Sequence, residues 1–208
     1  MRLSCALLRV LAARMTGSAD RAEAAAGDVE AAERAIPAES LSRHPELPAL
    51  MLTDLGSAQL WAGRFEAAQA TLSAAAKVDS GPETALPRHE CLSRLALIDF
   101  LNGWPGRAES HAREAVAEAE RSGLPPEACT GIAQLVLGAV AIDRDDLDAA
   151  RTHLDHAASS TLPRDPLVSA ELALLRSRLL LAKGHPRAAL RLLGSTSGRR
   201  PCSSPPHG

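Results

Sequence analysis

The stretch LTDLGSAQLWAGRFEAAQATLSAA, residues 52–75, decides the fold of this chain. Gly63 divides it, and Ala68, Leu72 and Ala75 follow at helical spacing. That spacing places three small or apolar side chains on one face of a helix. Glycine readily adopts the left-handed backbone conformation that ends a helix. The stretch therefore predicts two helices joined by a tight turn at Gly63.

The same pattern recurs along the chain with a period of about 40 residues, which is typical of a helical solenoid. Each unit has a proline near its start, then a turn residue, and an alanine five residues beyond the turn residue. The prolines are Pro48, Pro87, Pro126 and Pro166, the turn residues are Gly63, Gly103, Asp145 and Gly184, and the alanines are Ala68, Ala108, Ala150 and Ala189, with Gly27 and Ala32 as a further copy upstream. The predicted fold class is all-α, a right-handed α-solenoid of antiparallel helix pairs. We expect four full pairs and an N-terminal partial unit.

The prolines and turn residues also predict where the helices begin and end. Proline suits the first position of a helix, where its missing N–H would have had no partner. The first helices are predicted at 48–62, 87–102, 126–143 and 166–183, and the second helices are predicted to begin at Phe65, Pro105, Leu147 and Pro186. Asp145 is expected to make the same left-handed turn as the glycines, with more strain. The small residues of the second helices are predicted to be core.

The composition excludes several classes of function. Apolar residues make up 46% of the chain and aromatic residues only 2%, so the core must be built from leucine and alanine. A net charge of −2 provides no field that would attract nucleic acid or an anionic membrane. No apolar run is long enough to span a bilayer. The four cysteines form no CxxC pair, which favours unbridged thiols and a cytoplasmic location.

Three regions are predicted along the chain. Residues 1–17 form an N-terminal helix, with an Arg-rich organellar transit peptide as the alternative; residues 18–194 form the helical-repeat domain; and residues 195–208 form a disordered tail. Segments 38–46, 79–86 and 159–165 are predicted to be loops between repeats. The terminal repeats lack an obvious polar capping helix, so a homodimer is an open expectation.

The second unit resembles a tetratricopeptide repeat (TPR). The residues that carry the resemblance are Leu55, Gly56, Gly63, Phe65, Ala68, Leu72 and Ala75. The period of about 40 residues is longer than the usual 34. The phrases AGRFEAAQATL and DRDDLDAARTHLDHA are similar to the helical-repeat region of MalT-like regulators, which are LuxR-family transcription activators.

That resemblance implies a sensor module that binds a protein partner or a small-molecule inducer. The sequence contains no GxxxxGK[ST] phosphate-binding motif, and no helix-turn-helix follows the repeats. The chain would therefore be a fragment of such a regulator or a relative that kept only the sensor region. The alternative is a stand-alone TPR adaptor or scaffold protein that mediates protein–protein interaction.

The resemblance also places a partner- or inducer-binding groove along the first helices. The predicted groove residues are Thr53, Ser57, Leu60, Trp61, Ser93, Leu97, Phe100, Leu135, Ala139 and Ile142. Trp61 and Phe100 matter most there, because aromatic anchors dominate binding at interfaces. The alternative is that these two side chains pack between repeats.

The search for chemical machinery predicts no enzyme, no cofactor and no metal site. His153, Asp155 and His156 form the sequence HLDH, where the two histidines share a helix face but lack an evident third ligand. His89, Glu90 and Cys91 are adjacent in sequence and would point in different directions on a helix. No GxSxG motif or basic stripe with interleaved aromatic residues occurs, so no direct nucleic-acid binding is expected.

Overall fold

The computed structural model describes residues 2–16, 18–35, 46–78, 81, 84–125, 131–159 and 166–197. These residues form ten α-helices and no strand, so the predicted all-α class is confirmed. The helices are α1 (Arg2–Thr16), α2 (Ala19–Arg34), α3 (Glu46–Trp61), α4 (Phe65–Ala75), α5 (Ala85–Leu101), α6 (Pro105–Arg121), α7 (Gly131–Asp143), α8 (Leu147–Ser159), α9 (Pro166–Ala182) and α10 (Pro186–Ser197).

The helices pack as neighbouring pairs. Each odd-numbered helix packs against the even-numbered helix that follows it, and each even-numbered helix also contacts the first helix of the next pair. The first helices α1, α3, α5, α7 and α9 contact one another in succession, and α1 additionally approaches α9. We call the first helices and the second helices the two layers of the fold; each of α2, α4, α6 and α8 contacts two first helices.

The turns within the pairs lie where the sequence predicts them. Gly63, Gly103 and Gly184 have φ angles of 77°, 76° and 78°, and Asp145 adopts the same left-handed region at 61°. The second helices begin at the four predicted residues. Asp145 is the only non-glycine residue with positive φ in the described part of the chain, which makes its turn the strained copy of the four.

The predicted starts of two first helices are wrong by two residues. The structure begins α3 at Glu46 and α5 at Ala85, so Pro48 and Pro87 are third residues of their helices. The first four N–H groups of a helix have no intrahelical partner, and proline is therefore tolerated throughout the first turn. Pro166 does begin α9 as predicted. Pro126 lies outside the described residues.

The predicted loops and tail also need correction. Glu46, Ala85, Leu86 and Ser159 are helical, and the rest of the predicted loops lies mostly outside the described residues. At the other end, α10 continues to Ser197, three residues into the predicted tail, because its backbone hydrogen bonding outlasts the apolar spacing. Residues 198–208 lie outside the described part.

The upstream copy of the repeat is wrongly placed at Gly27. That glycine lies inside α2, whereas the turn of the first pair falls between Thr16 and Ala19. Ala22 is the residue that matches the other copies, since it lies three residues after the start of its second helix and is buried. The same holds for Ala68, Ala108, Ala150 and Ala189. The described residues thus contain five pairs, and the expected partial unit is a complete pair.

The two layers bury their side chains differently. Most of α3, α5 and α7 is buried around the whole helix, because each has neighbours on both sides. The second helices bury only one stripe, which in α6 consists of Ala108, Ala112, Ala115 and Ala119. The predicted core stripe is confirmed, except that Leu193 is half-buried.

Close approach of the two helices within a pair explains why glycine occupies positions 56 and 138. A Cβ atom on Gly56 would lie 2.6 Å from Leu72 Cγ, and one on Gly138 would lie 2.8 Å from Leu154 Cδ2. Only glycine leaves room for these leucines, which are almost completely buried. In these two pairs, α3 with α4 and α7 with α8, a leucine of the second helix therefore packs directly against a glycine of the first helix.

Candidate interaction surface

The residues predicted to line a groove lie inside the protein. Seven are buried and three are half-buried. The buried ones are Thr53, Ser57, Leu60, Ser93, Leu97, Leu135 and Ala139, and the half-buried ones are Trp61, Phe100 and Ile142. The first helices pack on one another closely enough to fill the space between them. Their inner face is packed rather than open.

Two hydroxyl groups of this inner face are engaged within the protein, whereas the buried hydroxyl of Ser93 has no hydrogen-bond partner among the described residues. The hydroxyl of Thr53 donates to the carbonyl oxygen of Ala49 at 2.6 Å, and its oxygen lies 3.0 Å from Cys91 Sγ on the next first helix. Ser57 donates to the carbonyl oxygen of Thr53. Burial raises the pKa of the Cys91 thiol to about 11, so this thiol stays protonated.

Trp61 and Phe100 pack between units, as the alternative interpretation expects. Trp61 lies against the cluster of alanines and valines that joins the first pair to α3. Phe100 contacts two clusters, the central one and the one shared by α7, α8 and α9. Both side chains are half-buried, and they link successive pairs.

The four aromatic residues of the chain gather at the turns of the second and third pairs. Trp61 and Phe65 flank one turn, and Phe100 and Trp104 flank the next, one 39-residue period later in each case. Phe65 and Trp104 are 44% and 43% exposed, and Leu101 beside them is 50% exposed. We call these five residues the aromatic edge. Aromatic side chains that are half exposed on a rigid scaffold are typical anchors of protein interfaces.

A cleft of about 500 Å³ opens between the two turns of the aromatic edge. Phe65 forms one wall, and Asn102 of the following pair forms another. The remaining lining residues are Gly63, Arg64, Glu66, Ala67 and Gln69. The cleft is thus shared by two repeats, and its shape depends on how those repeats pack.

A buried carboxylate fixes this packing. Asp99 is completely buried near the end of α5, and its Oδ2 lies 2.8 Å from Nδ1 of His111 on α6. Its Oδ1 accepts from Nε2 of Gln69 on α4 at 3.4 Å and lies 3.4 Å from Nη2 of Arg107. A buried charge is tolerated only when it is paired and hydrogen-bonded. Asp99 therefore ties three helices of two pairs together beneath the cleft.

Arg107 connects the buried carboxylate to the surface. Its guanidinium lies 4.7 Å from the centroid of the Trp104 ring, in a cation–π contact. The same guanidinium pairs with Asp99. Arg107, which is itself held by Asp99, therefore fixes the orientation of Trp104. This lowers the conformational entropy that the tryptophan side chain would lose on binding.

Ion pairs also join successive pairs at this end of the helices. Arg64 Nε lies 3.2 Å from Glu23 Oε2 on α2, and Arg144 Nη1 donates to Glu109 Oε1 at 2.9 Å. The hydrogen bond from Arg144 is the main cause that holds the pKa of Glu109 below its usual value. Glu23, Gln69 and Glu109 each lie four residues after the start of a second helix, and each reaches the next pair. A polar side chain at this position therefore links its own pair to the next one in each of these three units.

The residues considered for metal binding have separate partners. His153 Nδ1 lies 2.7 Å from Gln134 Oε1, Asp155 pairs with Arg176, and His89 Nδ1 lies 2.8 Å from the carbonyl oxygen of Ala115. Burial lowers the pKa of His153, and the neighbouring His156 lowers it further. Among the described residues no three potential ligands come together.

The aromatic edge was not predicted from the sequence, although a signal for it exists. Phe65 is predicted only as the first residue of a second helix and as part of the TPR resemblance, and Trp104 has no predicted role. The chain contains two phenylalanines, two tryptophans and no tyrosine. Their pairwise separation by one repeat period is the feature that brings them to one end of neighbouring pairs.

Comparisons with known proteins support the fold alone. No protein-family model and no curated protein matches the sequence. The structure is similar to the crystal structure of BtubC (BKLC) from P. vanneervenii, with a TM-score of 0.56. The match covers 100% of this chain and 95% of that chain at 18% sequence identity. At this identity the similarity concerns the helical arrangement.

Within the described ranges, no helix combines the length and the apolar character needed to cross a bilayer.

Proposed function

We propose that this chain is a TPR-like, right-handed α-solenoid whose function is to bind a protein partner at the aromatic edge. The observation that carries the proposal is the gathering of all four aromatic side chains at two adjacent turns, beside a cleft of about 500 Å³. This is the adaptor alternative of the sequence analysis. It differs from that prediction in placing the partner at the ends of the pairs rather than along the inner face.

The chemistry of the edge fits a protein segment with an apolar anchor. Phe65, Leu101 and Trp104 offer exposed apolar surface, and burial of such surface stabilises a complex by about 25 cal/mol per Å² before the costs of association. Arg107 holds Trp104 in place and keeps N–H groups near the surface. We expect Phe65 and Trp104 to carry most of the binding energy, because truncation of such anchors costs about 2 kcal/mol or more.

The test uses the full chain with a photo-crosslinking amino acid placed at position 104 or at position 86. Leu86 is 44% exposed in the first turn of α5, at the opposite end of that helix from the edge, and serves as the matched control. Crosslinking in the native host should give a discrete adduct from position 104 and none of the same mass from position 86. Mass spectrometry then identifies the partner.

Binding of the identified partner is then measured with Phe65→Ser and Trp104→Ser variants and with Leu86→Ser. The edge variants should raise the dissociation constant at least tenfold without changing the melting temperature. The control variant should leave the dissociation constant unchanged. Equal affinity for all three variants would refute the proposed binding surface.

The second candidate is a sensor module of a MalT-like, LuxR-family regulator, which rests on the resemblance of residues 52–75 and 143–157. In that case a small inducer would bind along the first helices. A thermal-shift screen with sugars and other small metabolites tests it, because an inducer that binds only the folded state raises the melting temperature. A hit whose effect is lost in Ser57→Leu and retained in Trp104→Ser would favour the sensor over the adaptor.

A further inference from the structure

The last helix pair keeps exposed leucines on a face that α1 approaches without covering it, and the register of the repeats shows what fits this face. The residues twelve positions before the start of a second helix are Thr53, Ser93, Leu135 and Leu174. The first three are at most 2% exposed, whereas Leu174 is 45% exposed. Five positions before the same starts, Leu60, Phe100 and Ile142 pack in the core, whereas Leu181 is 53% exposed.

In the middle of the array these positions contact the following pair. Thr53 lies 3.0 Å from the sulfur of Cys91, which belongs to the next first helix. Leu60 and Phe100 pack into clusters shared with the next pair. Leu190 stands where Gln69 and Glu109 reach the next pair. The exposed leucines of α9 and α10 therefore occupy interface positions.

The first pair presents the complementary half of this interface. Fourteen positions before the start of a second helix lie Met51, Cys91, Ala133 and Leu172, all of which are buried, and Cys91 contacts Thr53 of the preceding pair. The equivalent residue of the first pair is Cys5, which is exposed. A cavity of about 310 Å³ opens beside it between α1 and α2, lined also by Ala6, Arg9, Asp28, Ala31 and Ala32.

We propose that a second copy of this chain stacks head to tail on the last pair. Its α1 takes the place of the next first helix, so that Cys5 of one copy meets Leu174 of the other as Cys91 meets Thr53. The contact continues an interface that the chain already makes between its own successive pairs. A head-to-tail contact joins two different surfaces, so it produces rings or open chains of copies rather than two-fold symmetric dimers.

Two further features bear on this contact. Within one chain α1 approaches α9, yet Leu8, Leu174 and Leu181 remain exposed, so this approach does not fill the face. Arg9 of α1 pairs with Asp28 of α2 at 2.6 Å, so its charge is balanced within its own chain and the contact rests on the apolar side chains.

A disulfide trap tests the register directly. Leu174→Cys is introduced into the full chain with Cys129 and Cys202 replaced by serine, leaving Cys5 as the intended partner. Cys91 is buried with a pKa of about 11 and stays unreactive. Mild oxidation should produce a ladder of dimers, trimers and longer species on a non-reducing gel, and Cys5→Ser should abolish the whole ladder, the dimer included.

Other gel patterns overturn the proposal. A monomer with an internal disulfide would show that α1 closes on α9 of its own chain. Dimers that form equally well without Cys5 would show that two C-terminal faces pack together. Absence of any crosslink at high protein concentration would show that the face has no second copy on it.

Sedimentation of variants without added cysteine provides an independent measurement. Leu174→Glu is compared with Leu86→Glu, whose leucine is 44% exposed on α5 and lies off both end faces. The average mass of the wild type and of Leu86→Glu should rise with concentration, whereas Leu174→Glu should stay monomeric at the same melting temperature. Equal masses for the two variants would contradict the proposed contact.

Discussion

The first helices and the second helices differ in how much of their surface they bury. Helices α3, α5 and α7 are buried on nearly all sides and place Thr53, Ser93 and Asp99 among leucines. Helices α4, α6 and α8 bury only a stripe of alanines with single leucines, and expose the rest. A buried stripe on one side of a helix can be predicted from the spacing of its apolar residues. Burial on all sides depends on neighbouring helices that lie a full repeat away in the sequence. This difference explains why the core of the second helices was predicted residue by residue and the surface of the first helices was not.

The largest expected effect lies where a second helix meets its first helix. Leu72→Ala removes the side chain that sits on Gly56 and should lower the free energy of unfolding by about 2–5 kcal/mol. Leu86→Ala, at an exposed position of the first helix α5, should change it by less than about 0.5 kcal/mol. Urea denaturation followed by circular dichroism measures both. Similar losses would contradict the described contrast between the buried stripe of a second helix and the exposed position on a first helix.

The alanine stripe can be tested by overpacking. Ala68→Phe places a ring into a completely buried contact and should cost about 1–3 kcal/mol. Ala70→Phe on the exposed side of the same helix is the matched control and should be nearly neutral. An unchanged melting temperature for Ala68→Phe would argue against the repeat register.

The turn between the layers offers a stabilising change. Asp145→Gly relieves a positive φ of 61°, and a net gain of about 0.5–1 kcal/mol is expected after the entropy cost of glycine. The reverse change, Gly103→Asp, should cost a comparable amount. Thermal unfolding of the two variants gives shifts of opposite sign, and shifts of the same sign would refute the strain argument.

The smallest expected effect is the ion pair between units. Glu109→Gln should lower stability by about 0.5 kcal/mol near neutral pH, because the exposed Arg144 loses its charged partner. The folded state holds the pKa of Glu109 below its unfolded value of about 4.3, so this stabilisation is present above that value. It is lost as the pH falls through the folded pKa. The stability difference between wild type and variant should thus vanish in acid, and a difference that persists there would be unrelated to the ion pair.

The repeat pattern specified much of the fold. The left-handed turns and the starts of the second helices follow from local chemistry at glycine, aspartate and proline, and these predictions are confirmed. The predicted starts of α3 and α5 are wrong, because a proline can occupy any position in the first turn and therefore does not mark the first residue of a helix. The first pair was misplaced because α2 is so rich in alanine that Gly27 and Ala32 imitate the true spacing at Ala22.

The candidate site was less accessible to prediction. Whether Thr53 or Leu97 faces a groove or a neighbouring helix depends on how tightly the array curves, and a single repeat does not encode curvature. The cluster around Asp99 joins residues of three helices that are up to 42 residues apart, from Gln69 to His111. Only the 39-residue spacing of the aromatic residues pointed to the edge before the helices were in place.

Tryptophan fluorescence tests most directly whether the accessible aromatic surface is the edge and not the inner face. Trp61→Phe leaves Trp104 as the single fluorophore, and Trp104→Phe leaves Trp61. We predict that Trp104 emits at longer wavelength and is readily quenched by acrylamide, while the more deeply packed Trp61 emits at shorter wavelength and is quenched several-fold less. Equal quenching of the two would mean that the inner face is an open groove and would contradict the surface proposed for partner binding.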